Sequence, residues 1–412
     1  MQKDNTRSTG RAWLLALGRI VAAATLISGA AVPVSAQSVD VTPNDPRPSP
    51  GWTLTPMFVF SQSSDSNVTL AGQGTPTIAD SVAGLSPSVD LGFLGRQTTL
   101  NAGYTGSATR YFTVNQLDTF DSHLYANLKQ QITRHVQVFA QDSAGWLPTT
   151  NTLLLAGVPF ARVGSRIETL EAGVTLALTP LTQTSVGYRF EWVDFDRLNP
   201  LASQLLGGHS NGVFGSLLHQ VTRHVFVGAS YDIRRAIVAA GLQQFDLDNA
   251  EGNAEYHFSR DLIVSGGLGI ARIAGSLPSQ DSRVGPSWHA GMNYKFDRAL
   301  AYLTYLRSFV PSYGIGGTLQ NQEFTVGAGA PIALRDRLVA GGSYAWRRND
   351  PLALTANRLT SQWLNVYGSF SLAPWLRLEG FYSRSTQDSH VGGVLQNRVG
   401  VQIVTLAPLR FR

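Results

Sequence analysis

Pairs of opposite charge sit two residues apart in this chain, among them Arg189 with Glu191, Asp232 with Arg234, and Arg377 with Glu379. On an extended strand successive side chains alternate between faces, so residues i and i+2 share one. Each pair would then set an acid beside a base on a single wall. Fixed guanidinium and carboxylate groups on a wet wall make no bonds; they create a local field that discriminates among solutes. His123, Lys129, His289, Lys295, Arg398 and Gln402 occupy the polar parity of their own stretches and join this candidate lining.

Bond-making chemistry has less support. The eight histidines, at 123, 135, 209, 219, 224, 257, 289 and 390, form neither a helical H-E-x-x-H nor a tight cluster, so no metal site is expected. A hydrolase triad of Ser or Asp with His across strands stays open, because its geometry is not local in sequence. The glycine clusters "SGGLG" (265–269) and "VGAGAP" (326–331) lack the strand-to-helix setting of a phosphate cradle. They read as small residues that ease strand packing and curvature, and no cofactor is expected.

The elements that must position the charges alternate with period two. "VGPSWHAGMNYKF" (284–296) sets Val284, Pro286, Trp288, Ala290, Met292, Tyr294 and Phe296 against Gly285, Ser287, His289, Gly291, Asn293 and Lys295. "SVGYRFEW", "HVFVGASYDIR", "HLYANLK" and "LEAGVTLAL" alternate in the same way, with the charges on one parity. Such strands suit either the half-buried sheet of a soluble sandwich or a membrane barrel with lipid outside and water within. The composition is 43% hydrophobic yet only 14% charged, below the quarter usual for a soluble domain.

The N-terminus carries Lys3, Arg7, Arg11 and Arg19 around an apolar stretch that ends "AAVPVSAQS", which reads as a secretory signal over residues 1–36 cleaved after Ala36. A Pro-rich linker is assigned to 37–51 and a barrel to 52–412. Removing the signal takes the formal charge from +5 to +2, so the basic character is no argument for nucleic acid. Lys129 and Lys295 are the remaining lysines. With no cysteine, an exported chain must hold together by burial and backbone pairing, and no later run of about 18 apolar residues could cross a membrane as a helix.

Short polar breaks recur near residues 96, 134, 180, 223, 260, 298, 335 and 374, at intervals of 37 to 46 residues. A hairpin of two strands of about ten residues, with one tight turn and one longer loop, has this repeat length. The connections between breaks are longer and more polar: 62–83, 143–165, 194–208 and 310–320. Eight turns imply nine hairpins, running from a strand near 52–61 to one near 395–411. The expected fold is therefore all-β, a transmembrane antiparallel up-and-down barrel of about 18 strands, 16 being the alternative, with short periplasmic turns and longer extracellular loops. Segment 143–165, "SAGWLPTTNTLLLAGVPFARVGS", is unusually apolar for an exposed loop. Either it folds into the lumen with Arg162 and Arg166 near a constriction, or Leu153–Leu155 extends a strand above the membrane.

With its leader ending "VSAQS", its strand-turn-strand units "ITRHVQVFA" and "VTRHVFVGA", and its closing strand "NRVGVQIVTLAPLRFR", the chain resembles bacterial outer-membrane porin-like barrels, some of them associated with exopolysaccharide export. The resemblance covers roughly residues 50–412. It implies residence in the outer membrane of a diderm bacterium, contact with lipid and lipopolysaccharide, and insertion by the barrel-assembly machinery. Such barrels carry a recognition signal that ends in an aromatic residue; here the aromatic, Phe411, is penultimate. The leading expectation for function is passive diffusion of small hydrophilic solutes without catalysis. A conduit for secreted polysaccharide and an outer-membrane hydrolase are the alternatives.

Overall fold

The chain is described by a computed structural model over residues 50–150, 157–196, 205–238, 243–275, 282–296, 299–314, 318–334, 337–352, 358–389 and 392–411. The leader, nearly all of the linker, Leu153–Leu155 and His390 lie outside these residues. The first hairpins are built from β1 (Gly51–Asp65), β2 (Asp80–Leu94), β3 (Thr98–Tyr111), β4 (Thr119–Gln131), β5 (Val136–Leu147) and β6 (Ser165–Ala177). They are followed by β7 (Thr182–Phe195), β8 (Gly208–Gln220), β9 (Val225–Val238), β10 (Gln243–His257), β11 (Leu262–Gly275) and β12 (Arg283–Phe296). The circuit ends with β13 (Ala299–Pro311), β14 (Thr318–Ala333), β15 (Leu338–Pro351), β16 (Leu359–Ala373), β17 (Leu376–Ser389) and β18 (Gly392–Leu406). A three-residue strand, β19 (Leu409–Phe411), continues β18 past Ala407 and Pro408.

From β1 to β18 each strand pairs antiparallel with the next, and β1 pairs both with β2 and with β18 and β19. The sheet is therefore closed, with 18 full strands in order around the ring. Closure leaves no unpaired edge, the condition for backbone to cross hydrocarbon as strands. Eight short connections, centred where the polar breaks recur, lie at one end together with both ends of the strand circuit, the arrangement of a periplasmic face.

The opposite end differs from the sequence reading. The first strand runs to Asp65, so its loop is 66–79 rather than 62–83, and Ser143–Leu147 belong to β5 rather than to the loop that follows. Only four residues separate β9 from β10, and two separate β17 from β18, so the distal connections are not uniformly long. Polar residues continue the strands here because above the membrane a strand needs no lipid-facing apolar parity.

One parity faces outward throughout. Phe58, Phe60, Leu85, Leu124, Val186, Val213, Leu268, Val284, Val399 and Val401 are exposed large apolar residues, with Leu268 at 72%. In water such a surface would be a severe liability; against acyl chains it is the matching solvent. Phe411 keeps this parity, being opposite Trp52 in the ladder and exposed. The other parity carries Ser, Thr, Asn, Gln and nearly all of the buried charge.

Candidate lumen and its inner wall

The inner parity of β6 to β9 holds the densest charge. Glu171 and Arg189 stand opposite each other in the β6–β7 ladder, and the guanidinium reaches the carboxylate through Nε at 2.9 Å and Nη2 at 2.7 Å. Arg189 Nη1 also approaches Asp232 Oδ2 at 3.4 Å, and Arg234 Nε donates to Asp232 Oδ1 at 2.7 Å. Two bases and two acids from β6, β7 and β9 thus interlock, with Phe214 of β8 beneath the Arg189 guanidinium, 5.1 Å from it to the ring centroid. Such forks hold a fixed geometry that a lysine could not.

Glu191, two residues above Arg189, has a different partner from the one its sequence spacing implies. The Tyr313 hydroxyl donates to Glu191 Oε2 at 3.5 Å, although Tyr313 belongs to the β13–β14 connection. Burial, and then the Glu191 charge, hold the Tyr313 phenol well above its ordinary range, so it remains a donor. The contact requires that connection to fold inward, towards β7.

A second inward segment meets it. Residues 157–164 of the β5–β6 connection carry Val158 and Val163, both fully buried, in one cluster with Ile167, Val193, Phe195, Val238 and Tyr313. Phe160 N donates to Gln387 Oε1 of β17 at 2.7 Å, and Gln387 Nε2 returns a bond to the Val158 carbonyl at 3.1 Å. Arg162 Nε donates to the Val68 carbonyl of the β1–β2 loop at 2.6 Å, and its guanidinium stacks on the Tyr111 ring of β3 at 5.0 Å. One short segment therefore touches β3, β7, β9 and β17, which lie on different sides of the ring. It crosses the lumen. Burying Val158 and Val163 there stabilises the crossing by roughly 1.5–3 kcal/mol per side chain.

Gly157 makes the crossing possible. Its φ is +71°, and a Cβ would stand 2.1 Å from Leu319 Cδ1 and 2.6 Å from Ser312 Oγ. Both the left-handed backbone and the close approach exclude other residues.

Of the two constriction candidates, Arg162 lies in the crossing segment and Arg166 does not. Arg166 sits on the outer parity of β6, exposed, opposite Asp194 in the ladder, with its guanidinium 6.0 Å from the Trp146 ring. The loop ends at Gly164, so strand alternation already governs residue 166 and turns it outward.

The remaining sequence candidates distribute around the wall. His123 Nε2 bonds Ser143 Oγ at 2.9 Å, and His289 Nδ1 meets Glu251 Oε2 at 2.9 Å. Arg398 Nε donates to Ser63 Oγ at 3.2 Å across the closing seam of the barrel. Lys129 and Lys295 lie on the inner parity near the periplasmic end, and neither side-chain amine has a hydrogen-bonded or ionic partner among the described residues. Arg377 faces inward on β17, in the field of Glu379. Glu379, expected to line water, is instead 1% exposed, with Gln402 Nε2 donating to its Oε1 at 2.6 Å, so it is covered rather than wetted.

Among the inner-wall residues that escaped the sequence reading as candidates are Glu171, Glu251, and the pair Glu323–Arg347, joined at 2.5 Å with Arg347 buried. Their parity alone marks them as inward. What parity could not supply was the identity of the partner on the next strand.

No family model matches the chain, and no curated protein matches it. Among solved structures it is similar to Acinetobacter baumannii OccAB4 (9% identity, 89% of this chain and 100% of that one, TM-score 0.45). It is likewise similar to Pseudomonas aeruginosa OpdK with vanillate (9% identity, 87% and 99%, TM-score 0.45) and to Pseudomonas aeruginosa OpdO (10% identity, 87% and 98%, TM-score 0.46).

Proposed function

We propose that this chain is an outer-membrane channel through which small hydrophilic solutes diffuse, narrowed near its extracellular end by the segment that crosses the lumen. The observation that carries the reading is the closed ring of 18 strands with an apolar exterior and a polar, charged interior. A ring of this size encloses more space than its own side chains fill. Selectivity would come from the Arg189–Glu171–Asp232–Arg234 cluster, from Arg398 and from the amines of Lys129 and Lys295 at the periplasmic mouth. The crossing segment favours small solutes over an extended polysaccharide, which would need an unobstructed track. Export by a cleaved leader, insertion by the barrel-assembly machinery and the absence of catalysis belong to the same reading.

The test is the folded, purified barrel in a planar bilayer. Stable conductance steps in salt solution, together with swelling of proteoliposomes in small sugars, are expected. A folded barrel that passes neither ions nor sugars would sink the proposal.

A further inference from the structure

Asp142 of β5 stands on the lipid-facing parity. Its ladder neighbours are Ala126 and Leu170, and Leu124, Trp146 and Val174 on the same face are exposed. It lies six residues beyond Val136, the periplasmic end of the strand. At about 3.3 Å per residue and a tilt of roughly 40°, that is about 15 Å up, near the middle of an apolar band about 25 Å tall. Among the described strand residues no other charge on this parity lies as deep; Arg307 and Arg384 come next, each eight residues above its strand end. The Asp142 side chain has no hydrogen-bond or ion-pair partner among the described residues, and its Oδ1 is shut away from solvent. Acyl chains carry no donor, so at this depth a donor has to come from protein.

The same face carries one. Tyr188 of β7 is also six residues beyond its own strand end, Thr182, and it is exposed, with no partner for its hydroxyl among the described residues. β5 and β7 flank β6, so Asp142 and Tyr188 stand at one height on either side of that strand. Two copies inserted the same way up are related by an axis along the membrane normal, and a two-fold axis through β6 exchanges left for right at constant height. It sets the acid of each copy against the phenol of the other. Across the roughly 10 Å at which sheets pack face to face, a long donor meets a short acceptor.

We propose that the barrel pairs with a second copy of itself through the outer face of β5, β6 and β7, Tyr188 of each copy donating to Asp142 of the other. The same operation brings Leu170 beside Ala144 of the second copy and Val186 beside its Ala172, large side chains over small. The inference rests on the membrane placement of the barrel but not on its conducting solutes.

Native mass spectrometry of the barrel extracted in mild detergent tests it, with folding checked by heat-modifiable gel mobility, and should show two copies. The chain has no cysteine, so one introduced thiol reports one position. In intact membranes a short bismaleimide should link Ala172→Cys, beside the axis, into pairs, and should leave Leu268→Cys on β11 unlinked. Tyr188→Phe should raise the dissociation constant at least about tenfold, as expected for losing hydrogen bonds to a charged group. Introduced into Asp142→Ala, the same change should have no further effect, because donor and acceptor act as one pair. A folded barrel that stays monomeric and unlinked at position 172, a ring of three or more copies, equal linking through Leu268→Cys, or additive effects of the two substitutions overturns the proposal. A dimer of this kind from a barrel that does not conduct would support the interface while removing the channel.

Discussion

Glu171 and Arg189 face each other across β6 and β7, joined by two bonds of 2.7 and 2.9 Å to the same carboxylate oxygen, with the Glu171 side chain 6% exposed. Arg189→Gln leaves that carboxylate without its base and Asp232 with only Arg234. The variant should lose ~1–3 kcal/mol of stability, read from the shift of its heat-modifiable transition, because one desolvated charge is left unmatched. It should also conduct with greater cation preference, read as a reversal potential in a salt gradient. An unchanged potential would remove Arg189 from the selectivity field.

Arg166 supplies the contrast. It lies on the outer parity against Trp146, so Arg166→Glu should leave conductance and reversal potential as they are. A change as large as that of Arg189→Gln would show that the outward placement is wrong.

The crossing segment should be displaced by Gly157→Val. A β-branched side chain at a φ of +71° and 2.1 Å from Leu319 Cδ1 cannot keep its seat, and the left-handed backbone alone costs about 1–2 kcal/mol. Single-channel conductance should rise while the barrel keeps its heat stability. Equal conductance would mean that residues 157–164 do not limit the pore.

Lys129→Glu combined with Lys295→Glu reverses the two unpartnered amines at the periplasmic mouth. Anion preference should fall at low salt and the difference should vanish near 1 M salt, where the screening length is about 3 Å. An effect independent of ionic strength would point to a conformational change instead of a field.

Leu268, in the middle of β11 and 72% exposed, should face acyl chains. Leu268→Arg should therefore cost roughly 2–4 kcal/mol in equilibrium unfolding from lipid vesicles, the depth-dependent cost of a base at the bilayer midplane. A neutral result would place this surface against something other than lipid.

What the sequence alone determined was whatever repeats with period two. "VGPSWHAGMNYKF" places its apolar parity from Val284 to Tyr294 outward and His289 and Lys295 inward, and the polar breaks mark the eight turns, because alternation and turn chemistry act over a few residues and need no distant partner. Strand number follows from those counts, whereas closure is the pairing of β1 with β18 and β19. The tertiary structure decided everything that joins residues far apart in the chain: that Arg189 chooses Glu171 and Asp232 over Glu191, that Tyr313 reaches Glu191, and that Val158 and Arg162 span to Gln387 and Val68. It also decided that Arg166 turns outward, since one residue of difference in where a loop ends reverses the face. Register between strands and the path of a loop through the lumen depend on the mutual fit of side chains brought together by closure, and no local pattern encodes that fit.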